Sequence, residues 1–425
     1  MIEEIQKRPF VRPLFLWITG ILLYVSFPTY LLGSILSFLS CLILFPFWFL
    51  KRNKTSRPDY GTRWVWGAVF SVATICLAIL VSYCSDRLVS SSGDPAYVYR
   101  IAAEIQRALV ESFDRLRLSG EEKSVLATLT LGYRQTMSWE MRTRFSLTGV
   151  SHILSVSGFH VAILCGFLSS VCLLLPKWGV GRWVRYVLLI TSLWVFAFIT
   201  GLAPSATRAA IMLSLYLTGR VLRRAGDGYN TLAASAFCML AYNPFYLFDI
   251  GFQLSYLAVL FILLLAPRLK NLLEVRNPLL GAPWEWITVS VAAQAGTALL
   301  CGYYFGQFPL LFLFTNIPIT VLASCLIPGA LLWLILPAWI PGYGLIQEGI
   351  ESLTHGMVSV VEKFSEISGA VIFFHLSILE MLGGYIVIVL FLVYLKVRIP
   401  KILLAALSLF LFGLLSRLVW MRWII

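Results

Sequence analysis

Long apolar stretches separated by short polar loops recur along most of the 425-residue chain. A helix that spans a lipid bilayer needs about 20 mainly apolar residues, and many stretches approach that length. The pattern predicts crossings at roughly 14–33, 34–50, 65–83, 152–174, 183–201, 204–220, 229–247, 249–267, 285–303, 309–325, 328–340, 380–395 and 402–421. We therefore predict an all-α polytopic membrane protein with about 11–13 transmembrane helices.

The apolar stretch 309–340 is interrupted by Pro318, Pro328 and Pro337. Because proline removes a backbone hydrogen bond from a helix interior, we expect a break here. The chain then either crosses twice or forms a re-entrant hairpin, which must be buried in protein or line water.

Two segments carry an amphipathic pattern instead of a continuous apolar one. Apolar side chains recur every three to four residues over 100–118 and again from Ile346 to Ile367. Such stripes predict helices that lie on the outer membrane face or pack on each other. The predicted divisions are N-terminal transmembrane helices at 1–83, an extracytoplasmic amphipathic segment at 84–149, and a transmembrane domain at 150–425 that includes an outer amphipathic helix near 344–370.

Composition agrees with a membrane protein, since 59% of residues are hydrophobic, 12% are charged and the mean hydropathy is +0.86. Soluble chains have about 25% charged residues. The net charge of +13 comes largely from basic loops at 51–64, 175–185, 220–228, 268–276 and 396–401. All five loops are cytoplasmic if the N-terminus is inside. We predict a multi-pass protein of the cytoplasmic (inner) membrane, with its N-terminus inside and its C-terminus outside.

The sequence lacks the motifs of several enzyme classes. It has no phosphate-binding P-loop, no H-x-H pair, no H-E-x-x-H, no G-x-S-x-G around Ser157, and no metal-type spacing among its eight cysteines. Ser157 and His160 would stand three residues apart on one predicted helix, whereas a nucleophile and its base usually come from different elements. We predict a protein that is not an enzyme, with no catalytic residues, no metal site and no cofactor.

Polar residues cluster at the ends of three predicted crossings, in "SHILSVSGFH", "TGLAPSATRAAIML" and "NPFYLFDIGFQL". Such residues are costly in lipid and are candidates for a transport pathway. The candidates are His152, Ser155, Ser157, Gly158, His160, Ser205, Arg208, Asp249, Gln253 and, in a later crossing, Gln294. The predicted topology places the three clusters in the outer half of the membrane, where they would form a vestibule that opens outward.

Structural roles for these residues stay open. His152 would lie at the membrane interface, and His160 would bond to a neighbouring helix. Asp249 is well placed to cap a helix, whereas Gln253 has no capping role in this interpretation. Asp249 would also pair with Arg208, because an unpaired charge at depth is costly.

The outer segment offers cationic and aromatic side chains for a nucleic-acid strand. Single-stranded DNA binds to proteins through stacking on aromatics and through cations along its backbone. The candidate contacts are Arg107, Arg115, Arg134, Trp139, Arg142 and Arg144. Alternatively, they are solvated surface charges paired with nearby acids.

Three blocks, "TGVSHILSVSGFHVAIL" from Thr148, "GLAPSATRAAIML" from Gly201 and "NPFYLFDIGFQLSYLAVL" from Asn243, carry a family resemblance. In this order they resemble the membrane domain of ComEC-type competence proteins, over roughly residues 100–420. Tyr133 stands where that family's pattern suggests an acid. Full-length members of that family resemble a three-part protein that also has an OB-like domain and a metallo-β-lactamase-like domain. We expect both of these domains to be absent from this sequence.

The resemblance implies an inner-membrane channel for uptake of single-stranded transforming DNA in natural competence. The implied partners are single-stranded DNA, the lipid bilayer, a separate cytoplasmic DNA motor and a separate extracytoplasmic nuclease or DNA-binding protein; a homo-oligomer is also compatible. Two alternatives remain. One is a transporter of a small anionic or lipid-linked solute, and the other is a structural membrane partner that recruits a separate nuclease.

Overall fold

The fold is known from a computed structural model. It describes residues 8–27, 33, 36, 39–40, 63–89, 97–172, 179–223, 226–273, 275, 277–367 and 369–424. The predicted crossing at 34–50 therefore lies almost entirely outside the described residues.

Fifteen α-helices account for most of the described chain. They are α1 (Val11–Ser26), α2 (Arg63–Val89), α3 (Tyr97–Ser112), α4 (Gly120–Leu131), α5 (Trp139–Leu147), α6 (Gly158–Val171), α7 (Val180–Ile199), α8 (Pro204–Val221), α9 (Gly228–Tyr242), α10 (Ile250–Lys270), α11 (Pro278–Tyr304), α12 (Phe312–Ile335), α13 (Tyr343–Ser365), α14 (Ile378–Val397) and α15 (Pro400–Ile424). Short 3-10 turns at Phe113–Arg115, Ser151–Leu154 and Pro244–Phe248 connect some of them.

Five of the described helices are long and apolar enough to span a membrane, namely α2, α7, α10, α12 and α14. Helices α1 and α6 and the first part of α15 are apolar but shorter. The predicted all-α polytopic membrane protein is confirmed. The total of 11–13 crossings stays a prediction, because length and composition alone do not identify every crossing.

The predicted break at 309–340 is wrong, since α12 runs without interruption through Pro318 and Pro328. A 24-residue helix can lose a backbone hydrogen bond at each proline and keep the others, and membrane helices tolerate proline in this way. Pro337 follows the end of the helix, where proline is common.

A small antiparallel pair of strands brackets this region. Strand β1 (Gln307–Pro309) pairs with strand β2 (Val371–Phe373) in the register Gln307–Phe373 and Pro309–Val371. The chain therefore leaves along α12 and returns along α13 to the place where it started. Helix α13 is thus the returning element, whereas we predicted either a second crossing at 328–340 or a re-entrant hairpin within 309–340.

The chain divides into two compact units. Unit 1 comprises Met1–Met137, Ile153–Tyr256 and Ala323–Thr354; unit 2 comprises Ser138–His152, Leu257–Leu322 and His355–Ile425.

Helix α4 forms part of the core of unit 1, and every residue from Ser124 to Leu131 is buried. It begins with a reciprocal cap, in which Ser119 Oγ accepts from the Glu122 backbone and the Glu122 carboxylate accepts from the Ser119 backbone. It ends at Gly132, whose φ of 72° suits glycine.

Helix α13 places its apolar stripe inward, as the sequence predicted for part of its length. Ile350 and Met357 are buried, whereas Ile367 lies beyond the helix and is 47% exposed. Within unit 1, Glu351 accepts a hydrogen bond from the Arg117 backbone, so this helix packs on the segment that follows α3.

Candidate functional site

The polar turn before α6 differs from its prediction. The helix expected from residue 152 begins only at Gly158, so that expectation was wrong. Ser157 has an extended backbone at the helix start, and His152 lies in the preceding 3-10 turn. Serine favours such positions because its hydroxyl competes for backbone hydrogen bonds. His152 and His160 therefore do not share a helix.

His160 completes the cap of α6. Its ring is fully buried, its Nδ1 accepts from the Ser157 backbone N–H at 3.2 Å, and the Ser157 Oγ lies 3.0 Å away. Because an amide N–H can only donate, Nδ1 is an acceptor and a neutral ring carries its proton on Nε2. One side of the ring thus fixes the helix start.

The second turn, between α7 and α8, packs against the outer segment. Gly201 has a φ of 72°, and a Cβ there would lie 2.9 Å from the Gln106 side-chain oxygen. Gln106 also donates from Nε2 to the Leu131 carbonyl at 2.6 Å. Helix α8 begins at Pro204, as predicted for a first-turn proline.

The third turn is held by side-chain hydrogen bonds. Asp249 Oδ1 accepts from the Phe252 N–H at 2.7 Å, which confirms the predicted helix cap. Gln253 donates from Nε2 to the Leu247 carbonyl at 3.0 Å. Gln253 thus does not cap α10; its side chain instead ties the preceding 3-10 turn to the start of that helix.

An ion pair joins the second and third turns. Arg208 Nη1 lies 3.5 Å from the Asp249 Oδ1 that caps α10. The Arg208 side chain is 7% exposed and the Asp249 side chain is 47% exposed. Arg208 Nε is buried and has no hydrogen-bond partner among the described residues. The pair has one buried and one accessible member, at a distance longer than the 2.7–2.9 Å typical of strong charge-assisted bonds.

Small residues bring the first turn against the second. A Cβ on Gly158 would lie 3.9 Å from the Ala209 Cβ, so α6 starts directly beside α8. Ala206, Ala209 and Ala210 are all buried on this side of α8. Parts of all three sequence blocks thus meet at α8 in unit 1, where Ala209 lies beside Gly158 and Arg208 pairs with Asp249.

Two residues that the sequence did not single out belong to this site. A Cβ on Gly251 would lie 3.1 Å from Arg208 Nη2 and 3.2 Å from Asp249 Oδ1. Tyr256 is 9% exposed, donates to the Ser235 hydroxyl at 3.3 Å and packs on Phe252. Gly251 could have been found from the sequence, because it lies two residues after the capping Asp249. Tyr256 could not, because it stands in an apolar stretch of the sequence.

The remaining candidates occupy other environments. Ser155, Ser157 and Ser205 are half-buried in unit 1. His152, which is exposed, and Gln294, which is half-buried, belong to unit 2, and this site is built in unit 1. In the part of the chain that the structure describes, no three His, Cys, Asp or Glu side chains converge in a way that could hold a metal ion.

The six outer candidates are also divided. Arg107, Arg115 and Arg134 belong to unit 1; all three are exposed, although Arg134 donates from Nε to the Leu154 carbonyl at 3.0 Å. Trp139 (80% exposed) and Arg142 belong to unit 2.

Arg144, also in unit 2, already forms ion pairs with two acidic side chains. It bonds to Glu140 one turn earlier at 2.8 Å and to Glu362 of α13. Although partial burial lowers its pKa, these carboxylates raise the pKa of Arg144 above the usual value. A strand would have to displace two carboxylates to reach it.

Replacing Gly251 by alanine is expected to bring no gain in stability. Gly349→Ala, in a helical position with open space, is expected to stabilise by about 0.5–1 kcal/mol, as alanine usually does in helices. At Gly251 the added methyl group must push Arg208 or Asp249 aside, which offsets that gain. Thermal unfolding of both variants in detergent checks this, and equal stabilisation would contradict the crowding around the ion pair.

The profile of a protein family described as "Competence protein" matches residues 129–398. That range contains the three turns, the Arg208–Asp249 pair and Gly251.

Curated proteins from three bacteria are similar to this chain. "ComE operon protein 3" of Bacillus subtilis (strain 168) is 30% identical over 243 residues, which cover 56% of this chain and 30% of that protein. An "Uncharacterized protein" of Aquifex aeolicus (strain VF5) is 27% identical over 260 residues, 60% of this chain and 58% of that one. "Uncharacterized protein YcaI" of Escherichia coli (strain K12) is 26% identical over 144 residues, which cover 32% of this chain and 19% of that protein. The chain thus spans less than two thirds of each relative's length. No solved structure matches it.

Proposed function

This chain belongs to the competence protein family, and from that premise we propose that it forms an inner-membrane channel for single-stranded transforming DNA. The observation that carries the proposal is the buried guanidinium of Arg208 on α8, beside the half-exposed Asp249. A polyanion needs cationic contacts along its path, and a desolvated arginine binds phosphate strongly because its planar group offers several donors.

We infer that Asp249 occupies the phosphate position when DNA is absent. Its carboxylate lies 3.5 Å from the Arg208 guanidinium and is half-exposed. A phosphate oxygen can therefore compete with this carboxylate for the guanidinium. The buried Arg208 Nε supplies a further donor with no described acceptor. The exposed Arg107 and Arg115, which belong to the same unit as Arg208, would attract the strand by charge, and the accessible Trp139 of unit 2 offers a surface on which a base could stack.

The proposed assembly includes other proteins. No nucleotide-binding motif is present in the sequence, so a separate cytoplasmic motor would pull the strand, and a separate extracytoplasmic nuclease or DNA-binding protein would supply it. This chain would carry no catalytic step. The domain divisions, the N-terminus inside, the C-terminus outside and a homo-oligomeric state are parts of the same proposal.

A transporter of small solutes is now less well supported. That alternative depended on discontinuous helices at Pro318 and Pro328, and α12 is continuous.

Deleting the gene in a naturally competent host tests the proposal. Labelled DNA should still bind at the cell surface, but its transfer into the cytoplasm should be abolished and then restored by the wild-type gene. Purified protein in liposomes provides the second measurement, with a labelled oligodeoxynucleotide compared with a small anion. Normal DNA uptake in the deletion strain, or passage of the small anion without the oligodeoxynucleotide, would overturn the channel.

A further inference from the structure

A long run of the chain around α6, α7 and α8 contains cations but no acids. Between Ser151 and Gly226 the sequence has seven Lys and Arg residues and no Asp or Glu. Four of its described arginines lie near the start of α7 and near the end of α8, namely Arg182, Arg185, Arg220 and Arg223. A general preference of basic loops for the cytoplasm explains their side of the membrane but not their local contacts.

Three helix ends meet at this place in unit 1. The Tyr186 hydroxyl lies 2.9 Å from the Thr218 hydroxyl, which holds the first turns of α7 against the last turns of α8. Arg185 Nη2 donates to the carbonyl of Cys172, the residue that ends α6. The arginines therefore border a junction of three helices.

The junction has donors that lack acceptors. Arg182 Nε and Arg185 Nε are both buried, and neither has a hydrogen-bond partner among the described residues. Burying an N–H without an acceptor is costly, so an oxygen from outside the described chain is expected there. The next acid along the sequence, Asp227, already bonds to Arg8 and to the Tyr229 backbone.

An apolar, accessible helix face lies directly beside these donors. Helix α7 can span a membrane, and its Val184, Val187 and Leu188 side chains are all at least 41% exposed. Trp183 is also exposed, and tryptophan favours the level of lipid headgroups. A ligand at this place would need an anionic head and an apolar tail.

We propose that the ends of α6, α7 and α8 form a binding site for the phosphate of an anionic phospholipid. The two arginines would take the phosphate oxygens, and the acyl chains would lie along the exposed face of α7. A DNA strand is the less suitable ligand, because its sugars and bases would face that apolar surface. The basic loops predict the cytoplasmic leaflet, which is rich in anionic lipids.

Thermal unfolding of the full chain in detergent, titrated with lipid, tests the site. Phosphatidylglycerol should stabilise the wild-type protein and phosphatidylcholine should not. The double variant Arg182→Gln/Arg185→Gln should weaken the apparent affinity for phosphatidylglycerol roughly 25-fold, about fivefold for each arginine. The matched control Arg100→Gln/Arg117→Gln, which removes two exposed charges, one on α3 and one just after it, should respond like the wild type.

Several results would overturn the site. These are an unchanged response in the double variant, equal stabilisation by the two lipids, stabilisation by an oligodeoxynucleotide instead of phosphatidylglycerol, or a full response to glycerol phosphate alone. If the double variant does not fold, native mass spectrometry of the wild-type protein tests the site instead. The protein should retain phosphatidylglycerol in preference to phosphatidylcholine, and equal retention of the two lipids would contradict the site. The Arg182→Lys/Arg185→Lys variant should retain a weakened response, because lysine keeps the charge but lacks Nε.

Discussion

Replacing Arg208 by methionine is expected to lower transfer of labelled DNA into the cytoplasm by roughly 10- to 100-fold, the range for loss of a hydrogen bond to a charged group. Methionine fills a similar volume, and the half-exposed Asp249 keeps its cap on α10 and stays solvated. The free energy of unfolding should therefore change by less than about 1 kcal/mol, the usual limit for an ion pair with an accessible member. Uptake and thermal unfolding are measured on the same variant.

The partner of Arg208 separates bracing from transport. Asp249→Asn retains the cap, because asparagine caps as well as aspartate, but leaves a buried guanidinium without its counter-charge. We expect a destabilisation of roughly 2 kcal/mol, the cost of leaving a buried charged donor unsatisfied. The double variant Arg208→Met/Asp249→Asn should recover stability without recovering uptake.

A matched charge removal completes the comparison. Arg268→Met takes one exposed arginine from the end of α10 and should leave uptake unchanged. If Arg208→Met took up DNA normally, or if the double variant regained both stability and uptake, Arg208 would be a structural brace only.

Replacing Gly149 by alanine is expected to destabilise unit 2 by roughly 3 kcal/mol. Its φ is 79°, which costs an alanine about 1 kcal/mol, and the methyl group would lie 2.8 Å from the Pro309 ring and 3.0 Å from the Phe312 Cβ. Neither neighbour can rotate away, so overpacking adds about 2 kcal/mol. The turn at Gly149 also receives a hydrogen bond at the Thr148 carbonyl from Thr315, at 2.7 Å.

Gly342 provides the control for this variant, since its φ is 94° and nothing lies within 4 Å of an added Cβ. Gly342→Ala should therefore lose only the backbone part, about 1 kcal/mol. Thermal unfolding of the two variants in detergent gives the difference. Equal losses would mean that the contact of Gly149 with Pro309 and Phe312 is loose.

Local rules predicted several elements correctly from the sequence. Pro204 begins a helix and Asp249 caps one because each depends only on its neighbours in the chain. The contact between Arg208 and Asp249 followed from the cost of burying an unpaired charge, although the two residues are far apart in the sequence. The role of this contact in transport stays a prediction.

Other features depend on packing between distant segments and could not be seen locally. The apolar pattern continued through Ser155 and Ser157, so the helix was expected six residues before Gly158, where it starts. Helix α4 reads as half polar, yet it is buried by contacts such as those of Gly132 with Val156 and Thr200. In α12, the surrounding protein stabilises a helix that its prolines would weaken in isolation.

The strand pair β1–β2 has a consequence for how this region can vary. Tyr385 donates to the Gly296 carbonyl at 2.8 Å, and a Cβ on Gly384 would meet the Leu299 side chain, so α11 and α14 touch without any help from residues 310–370. The strands thus join the two ends of a segment that contains α12 and α13. Engineered tags or insertions at an exposed turn within this segment, such as the one around Gly342, can therefore lengthen it while α11 and α14 keep their places.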